Sequence, residues 1–304
     1  MGKPLLKWAG GKGQLLPTIE NHLPNKLKNN EINTYVEPFF GGGAVFFYLV
    51  KNFNIKKAYL SDINPELVLM YKVIKYKPNE LMNELQKLSD RYFSYELEED
   101  RKNFYLEVRK EFNIKLMNFD YESINELSIQ RASELIFMNR TCFNGLFRVN
   151  KNGEFNVPFG KYKNPKILDS ENILSVSDLL QIAEIKNSSF DNIPSEYLDN
   201  SFIYFDPPYR PLNITSNFTS YSKYDFNDEN QIKLAEFYKN LSLNTNSFLM
   251  LSNSDPKNTN EKDNFFDNLY SDFEINRILA SRMINSKSSG RGKVSELLIK
   301  SYKV

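Results

Sequence analysis

The chain has 304 residues, of which 41% are hydrophobic, and its 39 basic and 38 acidic side chains leave almost no net charge. That composition suits one large folded domain or two smaller ones, and a polyanionic partner would have to be bound by locally concentrated charge. A single cysteine excludes an internal disulfide and the longest apolar run, residues 44–50, is too short to span a bilayer, so we expect a cytoplasmic protein with no membrane partner. The chain starts MGKPLLKWAGGKGQLL, which lacks the apolar core of a secretory signal.

The predicted elements alternate between strands and helices. Residues 34–37 (TYVE) and 58–62 read as strands, with a helix at 44–51 between them. From about residue 65 to 133 the apolar spacing is helical, with charges on the exposed faces. Strand patterns return at residues 202–205, 248–252 and 296–301. A sheet that begins, is interrupted by a helical insert and then resumes is the simplest architecture.

The stretch FIYFDPPYRP, residues 202–211, ends an apolar run on a carboxylate. The run lacks alternation, which is typical of a central strand covered on both faces in a parallel sheet. Because Pro207 has no N–H and ends the ladder, we expect Asp206 at the carboxyl edge of the sheet, where α/β proteins bind ligands. Pro208 stiffens the turn and directs Tyr209. Taken alone, the stretch could equally be a strand end with a turn-forming aspartate.

A glycine loop, EPFFGGG at residues 37–43, follows one predicted strand and precedes a helix. Its glycines let a ligand approach the backbone closely. Neither this loop nor KWAGGKG fits the dinucleotide or P-loop motifs, because Phe46 and Leu6 stand where those motifs require glycine. Asp62, in SDINP, closes the next strand and can accept hydrogen bonds from ribose hydroxyls. The pattern favours a nucleoside ligand without a pyrophosphate, although a tight turn before a helix would look the same.

Four stretches, KWAGGK at residues 7–12, EPFFGGG, SDINP and DPPY, occur here in an order that resembles Dam-type DNA adenine-N6 methyltransferases, including the DpnM-like restriction-modification enzymes. RTCFNGLFRVNKNGEFNVPFGKY at residues 140–162 and FTSYSKYDF at 218–226 fit the same group, so the resemblance covers nearly the whole chain. It implies S-adenosyl-L-methionine as methyl donor, S-adenosyl-L-homocysteine as product, no metal, and GATC in double-stranded DNA as the site. It leaves open whether a cognate restriction endonuclease is a partner.

The resemblance also implies the fold. We expect an α/β protein with a Rossmann-like methyltransferase sheet and an inserted target-recognition domain made of helices and a β-hairpin. On this basis residues 1–66 and 167–304 form the catalytic, cofactor-binding domain, and residues 67–166 form the DNA target-recognition domain.

The resemblance places several side chains around the cofactor. The candidates are Trp8, Lys12, Glu37, Pro38, Phe39, Gly41, Asp62 and Asp206. Three of them have a simpler alternative: Trp8 could be plain core packing, Lys12 a solvated surface charge, and Phe39, like its neighbour Phe40, either a core side chain or a flank of the cofactor's adenine ring.

The chemistry explains the catalytic candidates, which are Asp206, Pro207, Pro208 and Tyr209. An exocyclic adenine amine is a poor nucleophile because its lone pair is delocalised into the ring. Two acceptors, the Asp206 carboxylate and the Pro207 carbonyl, would favour a tetrahedral nitrogen and stabilise its developing positive charge. The base must first be flipped out of the duplex, and Tyr209 is the candidate stacking face, its alternative being a core tyrosine.

A basic stretch, residues 141–166, holds five basic residues against one acid, with glycines and aromatics between them. This composition suits a hairpin laid on DNA. The resemblance maps base reading onto four residues: Asn144, Leu146, Arg148 and Pro158. Arg148 can bind a guanine edge bidentately, and Asn144 can bind an adenine edge. Lys7 falls on a family position near DNA and Lys161 is expected to meet a phosphate, the alternative for each basic residue being plain exposure.

A second basic cluster lies in SRMINSKSSGRGK and comprises Arg282, Lys287, Arg291 and Lys293. It predicts a phosphate-contacting loop with Arg291 as a DNA-binding candidate, although a polar turn would show the same composition. One histidine and one cysteine cannot supply a structural zinc site.

The leading hypothesis is therefore site-specific adenine-N6 methylation of duplex DNA. One alternative is methylation of RNA or of a protein amide, which often uses asparagine at the position of Asp206 and usually lacks a long insert. The other is a catalytically inactive DNA-binding module, against which the intact DPPY counts.

Overall fold

A computed structural model describes residues 2–8, 10–116, 118–210, 226–281 and 293–304. Its strands are β1 (Thr34–Glu37), β2 (Lys57–Asp62), β3 (Ala183–Asn187), β4 (Ser201–Phe205), β5 (Phe248–Ser254), β6 (Glu274–Ser281) and β7 (Lys293–Lys300). They form one sheet in the order β3-β2-β1-β4-β5-β7-β6. Strands β1 to β5 pair in parallel, whereas β7 runs antiparallel to both of its neighbours, β5 and β6.

The helices in the described residues cover both faces of this sheet. They are α1 (Leu16–Asn21), α2 (Asn25–Lys28), α3 (Ala44–Asn52), α4 (Pro65–Tyr76), α5 (Pro78–Ser94), α6 (Glu98–Ile114), α7 (Glu126–Thr141), α8 (Ser170–Leu180), α9 (Asp228–Asn244) and α10 (Phe265–Leu269). One hydrophobic core lies between the sheet and α3, α4 and α8, and it continues into the insert. A second core packs α9 and α10 on the opposite face. The chain thus has the predicted Rossmann-like methyltransferase architecture.

Strand β4 occupies the centre of the sheet. All five of its residues are buried, and it pairs with β1 on one side and β5 on the other. The prediction of a doubly covered parallel strand before Asp206 is confirmed. From β1 the chain continues outward to β2 and β3, whereas from β4 it continues the other way to β5. The order therefore reverses between β1 and β4, and ligands bind outside the carboxyl ends of strands at such a switch point.

The helical segment between β2 and β3 comprises α4 to α7, and a loop follows it before α8. A buried ion pair joins its ends: Arg131 of α7 is fully buried and its Nε lies 2.9 Å from Oε2 of Glu66 on α4. The Arg131 Nη1 also donates to the Phe112 carbonyl, and the Tyr121 hydroxyl donates to Glu66. These bonds satisfy a charge that would otherwise be costly to bury, so they fix α7 against α4.

Some elements differ from the sequence prediction. Strands β3 and β6 were not predicted, and β7 begins at Lys293, earlier than the expected 296. The expected hairpin is a looped segment held by two isolated antiparallel bridges, Cys142 with Phe159 and Val149 with Phe155. Within the described ranges, no helix is long and apolar enough to cross a membrane.

Candidate active site

The Lys12 side chain lies against the carboxylate that follows β4. Its Nζ is 2.7 Å from Oδ1 of Asp206 and 2.6 Å from the Gly10 carbonyl oxygen, to which it donates a hydrogen bond. Lys12 is only 5% exposed and Asp206 20% exposed, so this is a largely buried ion pair. The alternative of a solvated lysine is excluded by that burial.

The ionisation of Asp206 is set by two opposing effects. Burial raises the pKa of Asp206 above its ordinary value, and the charge of Lys12 lowers it again in part. The positive charge of Lys12 therefore favours the ionised form of Asp206, against the effect of burial.

Tyr209 lies on the other side of the same lysine. The Lys12 Nζ is 4.6 Å from the centre of the Tyr209 ring, within the range of a cation–π contact. The Tyr209 hydroxyl donates to Oε2 of Glu296 at 2.8 Å. Glu296 reaches this edge because β7 is antiparallel and places Glu296 opposite Ser254, the last residue of β5. The Tyr209 side chain is half-buried, and the hydrogen bond of its hydroxyl orients the ring.

The glycine loop is shaped by the tryptophan. Gly41 has φ of +48°, in the left-handed region that favours glycine, and a Cβ there would lie 3.1 Å from Cδ1 of Trp8. Trp8 is half-buried and its ring also contacts Phe147, with the ring centres 5.2 Å apart. Trp8 therefore packs between the glycine loop and the basic stretch.

Asp62 ends β2 beside this loop. Its Oδ2 accepts from the Gly41 N–H at 2.8 Å and its Oδ1 from the Asn64 N–H at 2.9 Å. Burial raises the pKa of Asp62, and these backbone hydrogen bonds counter the rise. A carboxylate has about four acceptor positions, so these backbone bonds leave capacity for a ligand hydroxyl.

The first four residues of the glycine loop differ in burial. Glu37 and Pro38 are buried, and Glu37 Oε2 accepts from the Tyr35 hydroxyl at 2.9 Å. Burial raises the pKa of Glu37 well above its ordinary value. Phe40 is a core residue, whereas Phe39 is half-buried and stacks on Phe190 with ring centres 5.5 Å apart. Of the two phenylalanines, only Phe39 can flank a ligand at this edge.

The residue Lys7 is fastened to the basic stretch by Asn139. The Asn139 Oδ1 accepts from the Lys7 N–H at 3.0 Å, and its Nδ2 donates to the carbonyls of Lys7 and Gly145 at 3.1 and 2.8 Å. The segment that contains Trp8 is therefore hydrogen-bonded to Asn139 through Lys7 and paired with Asp206 through Lys12. These hydrogen bonds join the segment that carries Trp8 and Lys12 to the basic stretch.

The four base-reading candidates lie in the basic stretch, residues 141–166. Asn144 is exposed with φ of +56°, Leu146 and Arg148 are half-buried, and Pro158 is exposed. The Arg148 Nε donates to Oδ1 of Asn156 at 2.7 Å, which fixes the direction of the guanidinium. Lys161 is 67% exposed and paired with Glu98 across the insert.

A basic cavity of about 210 Å³ adjoins Lys7. Its lining includes four cationic side chains, those of Lys7, Arg140, Lys163 and Lys166, and the ring of Tyr162. Burial lowers the pKa of Arg140. An anionic group is what such a concentration of positive charge would attract.

Two predicted features lie outside the described residues. Arg291, with Arg282 and Lys287, belongs to the first, and the FTSYSKYDF stretch up to residue 225 is the second. In the described part of the chain, no three His, Cys, Asp or Glu side chains are grouped so that they could hold a metal ion.

The sequence did not single out Glu296, Phe190 or Asn139. Glu296 lies on β7 and Phe190 on the loop after β3, and the positions of these strands in the sheet are not local properties. Asn139 is a polar residue on the buried face of α7, and that signal could have been noticed in the apolar spacing of ELIFMNRTCF.

The sequence pattern of the D12 class of N6 adenine-specific DNA methyltransferases matches residues 8–284. The Type II methyltransferase M.MjaIII of Methanocaldococcus jannaschii is 50% identical over 302 residues, covering 99% of this chain and 99% of that protein. The Type II methyltransferase M1.LlaDCHI of Lactococcus lactis subsp. cremoris is 40% identical over 304 residues, covering 99% and 95%. A DNA adenine methylase of Vibrio cholerae is 35% identical over 296 residues, covering 97% and 95%.

Proposed function

The chain belongs to the D12 class of N6 adenine-specific DNA methyltransferases, and we propose that it transfers a methyl group from S-adenosylmethionine to N6 of an adenine flipped out of duplex DNA at GATC. The observation that carries this proposal is the position of Asp206, at the switch point of the sheet, paired with the buried Lys12 and followed by two prolines. Membership of this class of enzymes leaves no support for the RNA, protein-amide or inactive alternatives.

The described residues fit a nucleoside cofactor. Asp62 has spare acceptor capacity for ribose hydroxyls, and Phe39 with Phe190 offers an aromatic face to an adenine ring. The glycine loop, with Trp8 over Gly41, gives the close approach that a cofactor without a pyrophosphate needs. Glu37, Pro38 and Lys12 complete the proposed site. When bound, S-adenosylmethionine supplies an electrophilic sulfonium methyl.

The proposed transfer needs alignment rather than a covalent intermediate. Asp206 and the Pro207 carbonyl accept hydrogen bonds from the two N–H groups of the adenine N6, so that the lone pair of N6 points at the methyl carbon. A bond forms between N6 and that carbon as the carbon–sulfur bond breaks, and the positive charge moves from sulfur to nitrogen. Asp206 stabilises this charge. Since burial raises its pKa, Asp206 is also suited to take up the proton that N6 then loses.

The flipped base is proposed to stack on Tyr209. An aromatic partner contributes about 1–3 kcal/mol per base, which offsets the few kcal/mol that flipping costs. The Tyr209 ring is already oriented by Glu296 and by the cation of Lys12. A pre-oriented ring loses little entropy when the base arrives, so these contacts favour capture of the extruded adenine.

DNA recognition is proposed to reside in the insert. We retain residues 67–166 as the target-recognition domain, with Asn144, Leu146, Arg148 and Pro158 reading base edges and Lys7 and Lys161 near the backbone. The basic cavity beside Lys7 suits a phosphate of the same duplex. The GATC assignment rests on the resemblance to Dam-type enzymes, to which the 35% identity with a DNA adenine methylase adds support. A cognate restriction endonuclease is a proposed partner because two relatives carry type II names.

One assay tests this function. The protein is incubated with labelled S-adenosylmethionine and with duplexes that carry GATC or each single-base variant of it, and the product is digested so that the methylated base can be identified. We expect label on adenine N6 in GATC alone. Label on cytosine, on RNA only, or nowhere would contradict the proposal, and label on adenine in another sequence would overturn the GATC assignment.

Replacing Arg148 with alanine should relax discrimination at one guanine by about 1–3 kcal/mol, because a bidentate contact to its edge is lost. Methylation rates on the single-base variants give this measurement. Arg148→Lys is the matched control, because lysine keeps the positive charge but lacks the planar guanidinium that binds bidentately. This variant should also lose discrimination at that guanine, but it should retain more affinity for DNA than Arg148→Ala. An unchanged specificity profile in both variants would remove Arg148 from the base-reading residues.

Replacing Lys161 with alanine should weaken binding to all duplexes alike, because a phosphate contact carries no sequence information. We expect the slope of log affinity against log salt concentration to fall by about 1. The control is Lys239→Ala, which removes another exposed lysine, on α9, that is paired with Asp272. A salt slope that Lys161→Ala leaves at the native value would contradict a phosphate contact.

A further inference from the structure

Buried side chains form hydrogen bonds to the turn that follows β4. The Nε2 of Gln231, on the first turns of α9, donates to the Pro208 carbonyl oxygen at 3.1 Å. Gln231 is fully buried although it is polar. A buried amide of this kind is stable only when it is hydrogen-bonded, so its position is tied to the carbonyl it binds.

Asn253, near the end of β5, continues the same network. Its Nδ2 donates to Oε1 of Gln231 at 3.0 Å, and its Oδ1 accepts from the N–H groups of Ser254 and Arg210 at 2.9 and 3.4 Å. The Ser254 hydroxyl donates to the Arg210 carbonyl at 2.9 Å. The network fixes which way each amide faces, because a flipped Gln231 would place its oxygen against the Pro208 carbonyl oxygen.

The composition of the turn explains why such a network is needed. Pro207 and Pro208 have no N–H, so their backbone cannot donate a hydrogen bond that would anchor the turn. The Pro207 carbonyl is reserved for the substrate in the proposed function. The Pro208 carbonyl and the backbone of Arg210 are the groups next to it that the protein can hold, and the buried network holds them.

Helix α9 contacts the turn at a second residue, Arg210. The Arg210 guanidinium pairs bidentately with Asp228 at 2.8 and 2.9 Å and donates to Asp263 at 2.8 Å. Asp228 and Gln231 are three residues apart on α9 and therefore lie on one face. The turn is thus bound to α9 through the Pro208 carbonyl and through the Arg210 side chain.

We propose that Gln231 and Asn253 are positioning residues for methyl transfer: they fix the Pro208 peptide and so aim the Pro207 carbonyl and Asp206 at the adenine amine. This inference rests on the proposed function. Because transfer requires the nucleophile and the methyl carbon to be in line, a misplacement of about 1 Å at the turn is expected to lower the rate by about 10²-fold.

The first test removes the hydrogen bond. Gln231→Met keeps the length of the side chain without its donor, and we expect the single-turnover rate at saturating cofactor and duplex to fall by about 10²-fold. Affinity for both ligands should stay within about threefold, and fluorescence of 2-aminopurine at the target position should still report flipping. Native rates in this variant, or a loss of affinity that accounts for the whole effect, would overturn the proposal.

The second test separates positioning from stability and does not depend on a fully stable Gln231→Met variant. In Gln231→Glu the buried carboxyl donates to the Pro208 carbonyl while it is protonated and repels it when it ionises. Its activity relative to the native protein should therefore fall as the pH rises, whereas that ratio for Gln231→Met should stay constant. A constant ratio for Gln231→Glu would overturn the positioning role.

The matched control is Asn172→Leu. Asn172 of α8 is also a buried amide, and it holds the backbone N–H and carbonyl of Lys3 at 3.0 Å each, in no contact with the turn. The Asn172→Leu substitution should lower the melting temperature of the protein without lowering the single-turnover rate. Failure of the native protein to methylate adenine would refute the proposed function itself, whereas an active native protein with an unaffected Gln231→Met refutes only the positioning role.

Discussion

Replacing Asp206 with asparagine should lower the turnover of adenine methylation by about 10²–10³-fold and leave DNA binding largely intact. Asparagine keeps the shape of the side chain and one acceptor oxygen, but not the negative charge that stabilises the developing cation on N6. It also leaves Lys12 buried beside a neutral partner. Asp206→Ala should be more severe, because the acceptor itself is lost.

Three measurements check this expectation: single-turnover rates, DNA affinity by titration, and melting temperature as a control for folding. We expect only the single-turnover rate to change strongly. Loss of DNA binding with turnover preserved would show that Asp206 serves the DNA surface instead of the transferred methyl.

Replacing Lys12 with methionine should lower turnover at neutral pH by about 10²-fold, because the charge that keeps Asp206 ionised is removed from a water-poor site. Burial raises the pKa of Asp206 and Lys12 lowers it, so the variant's Asp206 has a still higher pKa. The ionised fraction then falls at any given pH. The loss should be greatest at acid pH and should diminish as the pH rises.

A pH–rate profile at saturating cofactor measures this effect, and Lys12→Arg is the matched control because it keeps the charge. The acid limb of the profile should move to higher pH in Lys12→Met and stay near its native position in Lys12→Arg. Equal losses at every pH would mean that Lys12 acts on cofactor binding alone and does not control Asp206.

The central strand and the turn after it could be predicted because their signals are local. An uninterrupted apolar run, a carboxylate and two prolines specify a buried strand that ends at Asp206 whatever surrounds it. The glycine loop was predictable for a similar reason, since Gly41 adopts a backbone conformation that favours glycine.

The partners of these residues could not be predicted, because they are set by the sheet order. The Lys12–Asp206 pair joins the start of the chain to its centre, and Glu296 reaches Tyr209 only through the antiparallel register of β7 against β5. The edge strand β3 was missed because its residues are half exposed and include charges, so no apolar run marks it. Gln231 is an ordinary polar residue in the sequence, and its burial depends on the packing of α9 on the turn.

The central claim is that Asp206 and the Pro207 carbonyl together hold the amine of an extruded adenine. The most direct measurement is a structure of the protein with a GATC duplex and S-adenosylhomocysteine. We expect the target adenine outside the helix, stacked on Tyr209, with N6 about 2.6–3.2 Å from both acceptors and in line with the cofactor sulfur. A target adenine that remains stacked in the duplex, or an N6 that contacts neither acceptor, would contradict it.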